Sequence, residues 1–158
     1  MANFPHYQLK NKLSKDLWIL HDGGKVEDRK YLDAAASVFS PVILDTVHAE
    51  HVTVAASGVD TAAVHGLLLQ KVRSEDPTVY SLRLPNSDAY AGDPITLGYG
   101  RFRAEMGKDL YTGTLVIGES LGWNGTKYFK VTNAAKAILV AETGGTGGSD
   151  RLRVKVLL

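Results

Sequence analysis

The side chains able to do chemistry are few. There is no cysteine, which removes disulfides, thiolate metal sites and thiol nucleophiles together. Five histidines are present, His6, His21, His48, His51 and His65. Ser120 lies in Gly118-Glu119-Ser120-Leu121-Gly122, which has the Gly-x-Ser-x-Gly spelling of a nucleophile elbow. An elbow needs a strand before the serine, a helix after it, and an acid and a histidine further on. Leu115-Val116-Ile117 supplies strand character, but Gly122-Trp123-Asn124-Gly125 follows where the helix should start, and no histidine comes after His65. Gly118–Gly125 is therefore expected to be a glycine-rich connection between strands, with Ser120 as an ordinary member. His48 and His51 form a His-x-x-His pair that suits a metal on a helix; in a strand they face opposite sides, and only a turn brings them together. Asp88 with Asp93, and Glu105 with Asp109, are the carboxylate pairs close enough in sequence for acid/base work, yet neither has a supporting pattern. The glycines of Gly144-Gly145-Thr146-Gly147-Gly148 lack the Lys-Ser or Lys-Thr that would make them a phosphate cradle. No residue type or spacing here points to a catalytic, cofactor or metal role, and a binding or structural protein is expected.

Composition narrows the partners. Lys and Arg total 18 against 17 for Asp and Glu, so the excess of positive charge that holds nucleic acid or an anionic membrane is missing. Met1–Tyr7 has no basic stretch leading into an apolar run, and no apolar run approaches the ~20 residues that span a bilayer. The expectation is a protein made in a cytoplasm, or carried by something assembled there. With 44% hydrophobic and 22% charged residues in 158, the chain has the make-up of one folded domain.

The elements that must position these residues read as strands. Arg151–Leu158 alternates basic and apolar side chains, as a half-buried strand does. Ala137–Ala141 reads as its neighbour, with the glycines between them as a flexible hairpin loop. Asn124-Gly125 between strand-like flanks, Leu115–Ile117 and Tyr128–Val131, is a hairpin signal. Further strands are predicted at Val42–Leu44, His51–Val54, Gly66–Leu69, Val79–Leu84 and Ile95–Tyr99, with a bend at Gly98 and Gly100. Val26–Ala36 has the propensity for a short helix. The fold class is mainly β: a small β-barrel or β-sandwich-like domain over 37–158 with an extended N-terminal arm over 1–36. The alternative for that arm is a hairpin from Trp18 to Val26. An echo links Pro41–Val72 with Gly113–Ala141: apolar triplet, turn, Val-Thr strand, then Thr61-Ala62-Ala63 or Asn133-Ala134-Ala135 before an aliphatic run. It makes two similar β lobes one reading of the domain.

Ser40-Pro41-Val42-Ile43-Leu44-Asp45-Thr46, with His51–Val54 and Asp60–Leu69, resembles the head decoration proteins of lambda-like phages, whose phrase runs Leu-Asp, turn, apolar strand, Asp-Gly-Ala-Ala-Val-Gly and an aliphatic run. Thr61 stands where Gly is usual, and His65 intervenes before Gly66. Lys130–Leu158 is similar to the ending of small capsid cement proteins. The resemblance implies a β domain, homotrimeric, that sits on the outside of a phage capsid and binds the major capsid protein, with an N-terminal arm that pairs with a capsid strand. Phe4, Tyr7, Leu9 and Trp18 are the arm residues expected to anchor it. Other expectations are a different β-rich virion subunit, such as a tail-tube or head-fibre protein, and a carbohydrate-binding module stacking sugars on Trp18, Trp123, Tyr90 and Tyr111.

Overall fold

The computed structural model describes residues 16–21, 24–74 and 88–158. These form fifteen strands in chain order: β1 (Leu17–His21), β2 (Lys25–Leu32), β3 (Pro41–Leu44), β4 (His51–Val54), β5 (Gly66–Leu68), β6 (Lys71–Arg73), β7 (Asp88–Tyr90), β8 (Pro94–Tyr99), β9 (Arg103–Met106), β10 (Thr114–Leu115), β11 (Ser120–Trp123), β12 (Tyr128–Val131), β13 (Leu139–Ala141), β14 (Gly145–Thr146) and β15 (Leu152–Val156). Two 3₁₀ turns, Thr61–Ala63 and Ala134–Lys136, lead into β5 and β13. The chain is mainly β, as the alternating patterns imply. The strand expected at Val79–Leu84 lies outside the described residues.

Strands β2, β4, β3, β5 and β8 close into a barrel. Its seam is a parallel pair, Tyr31 opposite His51 and Leu32 opposite Val52, while every other barrel pairing is antiparallel. A second sheet runs β1-β9-β15-β13-β11-β12. Leaving out β1, its order is that of the barrel opened at the seam, with β9, β15, β13, β11 and β12 in the places of β2, β8, β5, β3 and β4. The seam too has a counterpart: a parallel bridge joins Tyr111 to Tyr128, with the Tyr128 N–H donating to the Leu110 carbonyl at 3.0 Å. The correspondence extends to single hydrogen bonds. His65 N–H donates to the Val42 carbonyl at 2.8 Å, and Ile138 N–H to that of Leu121 at 2.8 Å. Phe39 N–H donates to the Leu68 carbonyl at 2.7 Å, and Gly118 N–H to that of Ala141 at 2.8 Å. The chain thus contains two five-stranded units of one topology, and β1 is an extra strand on the edge of the second.

The barrel interior holds Leu32, Val42, Val52, Leu68, Val72, Ile95 and Leu97. A larger cluster fills the second unit with Met106, Leu121, Leu139, Val154 and Val156, and reaches into the first through Phe39, Leu67 and Leu69. Gly66, Leu67 and Leu68 are all buried because β5 has one face in the barrel and the other against the second unit. Phe39 carries most of this junction. Wholly buried, it packs edge-on against Phe102 and Tyr128 at centroid distances of 6.3 and 5.9 Å, and the Tyr128 hydroxyl donates to its carbonyl at 2.5 Å. It is also the one non-glycine residue with positive φ (68°) among those described, in the turn whose counterpart has Gly118 (φ 90°). A left-handed phenylalanine costs about 1–2 kcal/mol, which burial of its ring offsets.

Several expectations need correction. Val26–Ala36 is not a helix: Lys25–Leu32 is β2, paired with β8 on one side and β4 on the other, and that double pairing overrides the helical propensity of its charged residues. The arm expected over 1–36 does not extend as an arm through its described part. Leu17–His21 joins β9, and β2 joins the barrel, so the hairpin alternative also fails, because the two strands enter different sheets. Residues 1–15, including Phe4, Tyr7 and Leu9, lie outside the described residues. Of Leu115–Ile117, only Leu115 is in a strand; Val116 and Ile117 belong to the turn. The glycine run is not a free loop: Gly145-Thr146 pairs with Thr114-Leu115, and a Cβ on Gly147 would lie 2.4 Å from the Tyr111 carbonyl.

Phe39→Ala is expected to cost about 3–5 kcal/mol in urea unfolding, from the ring lost at the junction. Phe39→Gly should be the more stable of the two by about 1 kcal/mol, because glycine removes the positive-φ strain that alanine keeps. Equal stabilities, or alanine above glycine, would show that the turn carries no such strain.

Candidate functional site

Ser120 opens β11, a strand flanked by β12 and β13, with Val131 and Val140 opposite it. The residue before it, Glu119, closes a turn at Gly118, and the residues after it continue the strand to Trp123. The strand–serine–helix geometry of an elbow is replaced by turn–serine–strand. Gly122 serves packing, since a Cβ there would meet the Lys136 carbonyl at 2.8 Å.

His48 and His51 do come together, because His48 sits in the β3–β4 connection rather than in a strand. Their rings are 5.4 Å apart, and His51 lies 5.7 Å from Tyr31. His51 Nδ1 is 2.9 Å from Asp33 Oδ2, a contact that pins the end of β2 to the start of β4 at the barrel seam. Among the described residues no three His, Cys, Asp or Glu side chains converge as metal ligands. His65 stacks on Tyr99 at 6.5 Å and reaches Glu27 Oε2 at 3.0 Å. Beside it is a cleft of about 410 Å³, lined by Thr61, Val64, His65, Tyr99 and the C-terminal Leu157 and Leu158. Two of its polar side chains already have partners within the chain, His65 at Glu27 and the Thr61 hydroxyl donating to the Ala137 carbonyl at 2.6 Å. Glu105 pairs not with Asp109 but with Arg151 and with Arg153 (3.6 Å), across the β9–β15 ladder. Asp93 Oδ2 accepts from the Tyr90 N–H at 3.3 Å.

The aromatic residues considered for sugar stacking do not form a face. Trp123 is buried, its Nε1 donating to the Ala55 carbonyl at 2.9 Å. Tyr111 is buried and donates to the Asp150 carbonyl at 2.8 Å, and Tyr90 is half-buried. Trp18 alone of the four is well exposed, on β1.

The surface that sequence reading missed is aliphatic. Leu44, Val47, Val116 and Ile117 are four of the five large exposed hydrophobic side chains among the described residues. Leu44 ends β3 and Val47 lies in the turn that follows, while Val116 and Ile117 lead into the turn at Gly118; each turn is held by a carboxylate. Asp45 Oδ1 accepts from the Val47 N–H at 2.7 Å, and that bond holds its carboxyl below the ordinary range. Glu119 Oε2 accepts from the Val116 N–H at 3.0 Å and pairs with Lys130 at 2.8 Å; Lys130, then the backbone bond, lowers its pKa too. The signal was present in Val116-Ile117 directly before Gly118, an aliphatic pair at a turn.

Two outcomes follow. Ser120→Ala should change thermal stability by no more than about 0.5 kcal/mol and leave binding properties intact; loss of a hydrolytic activity on that substitution would restore the elbow. For Tyr128, burial holds the phenol well above its ordinary value of 10.0. The unfolded chain then ionises this group first, so its contribution is whole below pH 10 and falls above it, by up to about 1.4 kcal/mol per pH unit. Tyr128→Phe should cost about 1–3 kcal/mol at neutral pH, leaving the Phe39 carbonyl without its donor. It should also flatten the alkaline fall in stability, and parallel wild-type and mutant pH profiles above pH 10 would contradict the assignment.

A scan against protein-family models finds no match for this chain, and a search of curated proteins finds no significant relative.

Proposed function

We propose that the chain is a structural virion protein that binds the outer surface of a tailed-phage capsid and stabilises it, a head decoration or cement protein whose partner is the major capsid protein. The observation that carries the reading is where the two resembling stretches fall. Ser40–Leu69 covers β3, β4, the first 3₁₀ turn and β5 of one unit, and Lys130–Leu158 covers the corresponding turn and β13 to β15 of the other. Phrases that resemble one family thus fall on overlapping parts of one repeated topology. The engagement of the polar residues supports the same reading: Glu105, Asp33, Glu119 and Asp150 hold strands or turns together. On this reading Phe4, Tyr7 and Leu9 precede β1 as capsid anchors, and Trp18 stands at the base of that segment, on β1, which among the described residues is the outermost strand of the six-stranded sheet and so the one a partner strand would extend.

The test is co-sedimentation with expanded phage heads of full-length protein and of a form lacking Ala2–Asn11. Full-length protein should attach. The truncated form should keep its melting temperature, since β1 and all later strands are intact, and lose most of its attachment. Failure of the full-length protein to attach to any expanded head would sink the reading; undiminished attachment of the truncated form would sink the role given to Phe4, Tyr7 and Leu9.

A further inference from the structure

The contact between the two units is not reciprocated. The first unit's turn buries Val38 in the shared core and packs Phe39 against the second unit's Tyr128, and the connection after β4 covers Trp123 through the Gly58 N–H, 2.9 Å from the Trp123 carbonyl. In the second unit the counterpart of Val38 is Ile117, and among the described residues that turn has no equivalent contact: Val116 is 60% and Ile117 70% exposed. In the first unit the counterpart of Trp123 is Leu44, since Leu44 faces Val52 as Trp123 faces Tyr128. Leu44 is 47% exposed, and Val47 beside it 77%. One unit therefore has a used turn and a free mouth, the other a used mouth and a free turn.

We infer that a second copy of this chain completes the pattern, the Val116–Ile117 turn of one copy seating on the Leu44–Val47 mouth of the next. Adjacent aliphatic side chains held out at a turn are surface that association buries. Both turns are already fixed, by Glu119 on one and Asp45 on the other, so little ordering is needed on contact. The free turn and the free mouth both stay exposed within one chain, so they do not satisfy each other there. Because the contacting patches differ, the association is heterologous, head to tail, and copies add in one direction around a ring or along a row. The inference rests on the repeat and its exposed residues, independently of the capsid reading.

The test is sedimentation equilibrium on the full chain as wild type, Ile117→Asp and Val47→Asp. Wild type should associate. Each variant alone should be monomeric, with a melting curve like that of dilute wild type, because both side chains are exposed. An equimolar mixture of the two should form a 1:1 heterodimer and nothing larger, since one intact turn then meets one intact mouth. Val116→Asp with Leu44→Asp repeats the experiment at the same two places should either first variant melt early. A monomeric wild type, oligomers of unchanged mass in either variant, or variants that stay monomeric on mixing would each overturn the inference. Head attachment by a monomeric variant would leave the capsid reading standing, so the two fail separately.

Discussion

The fold depends on one buried contact, the Phe39 backbone and ring against Tyr128. Neither unit makes this junction alone. The turn that presents Phe39 is held by main-chain bonds to β5, and Tyr128 is placed by β12 and by the Leu110 carbonyl behind it. A phenol taken fully out of water requires an acceptor, and the acceptor is a carbonyl of the other unit. Hydrogen bond, ring packing and backbone strain meet at one residue, so a change there is felt in both cores.

The repeat explains why the two units look different while sharing a topology. In the first, β2 and β4 run side by side long enough to close a barrel. In the second, the chain leaves β9 and returns to β12 only at Tyr111, so the same closure shrinks to a single bridge and the sheet stays open. The edge of β9 that remains is taken by β1. One plan is thereby finished in two ways, once by its own strands and once by a borrowed one.

Much of the β content was legible in the sequence, for identifiable reasons. Alternation in Leu152–Val156, the Asn124-Gly125 turn and the apolar run Pro94–Tyr99 each report local geometry, and each produced the expected element. The echo between Pro41–Val72 and Gly113–Ala141 marked two of the five matched strand pairs, β4 with β12 and β5 with β13; its apolar triplets do not correspond, because Val42–Leu44 matches Leu121–Trp123 and not Leu115–Ile117. β2 and β9 were invisible as partners because Lys25–Leu32 and Arg103–Met106 share no side-chain pattern, only a place in the hydrogen-bond ladder. The helix assigned to Val26–Ala36 failed for the same reason: propensity is local, and pairing with β8 and β4 is not. Trp123 and Tyr111 looked like contact residues because sequence gives their size but not their burial.

The position of β1 has a consequence for the order of events during synthesis. Its partner β9 emerges only after the whole first barrel, so on the ribosome β1 must wait unpaired while β2 to β8 assemble next to it. The first barrel is in effect an insertion within the second unit, and the second unit acquires its outer strand by closing a loop that contains a finished neighbour. Such long-range closure is slow compared with hairpin formation. The nascent chain therefore passes through a stage in which one barrel is complete and Leu17–His21 is an unclaimed strand, the interval in which chaperones or a wrong partner have access to it.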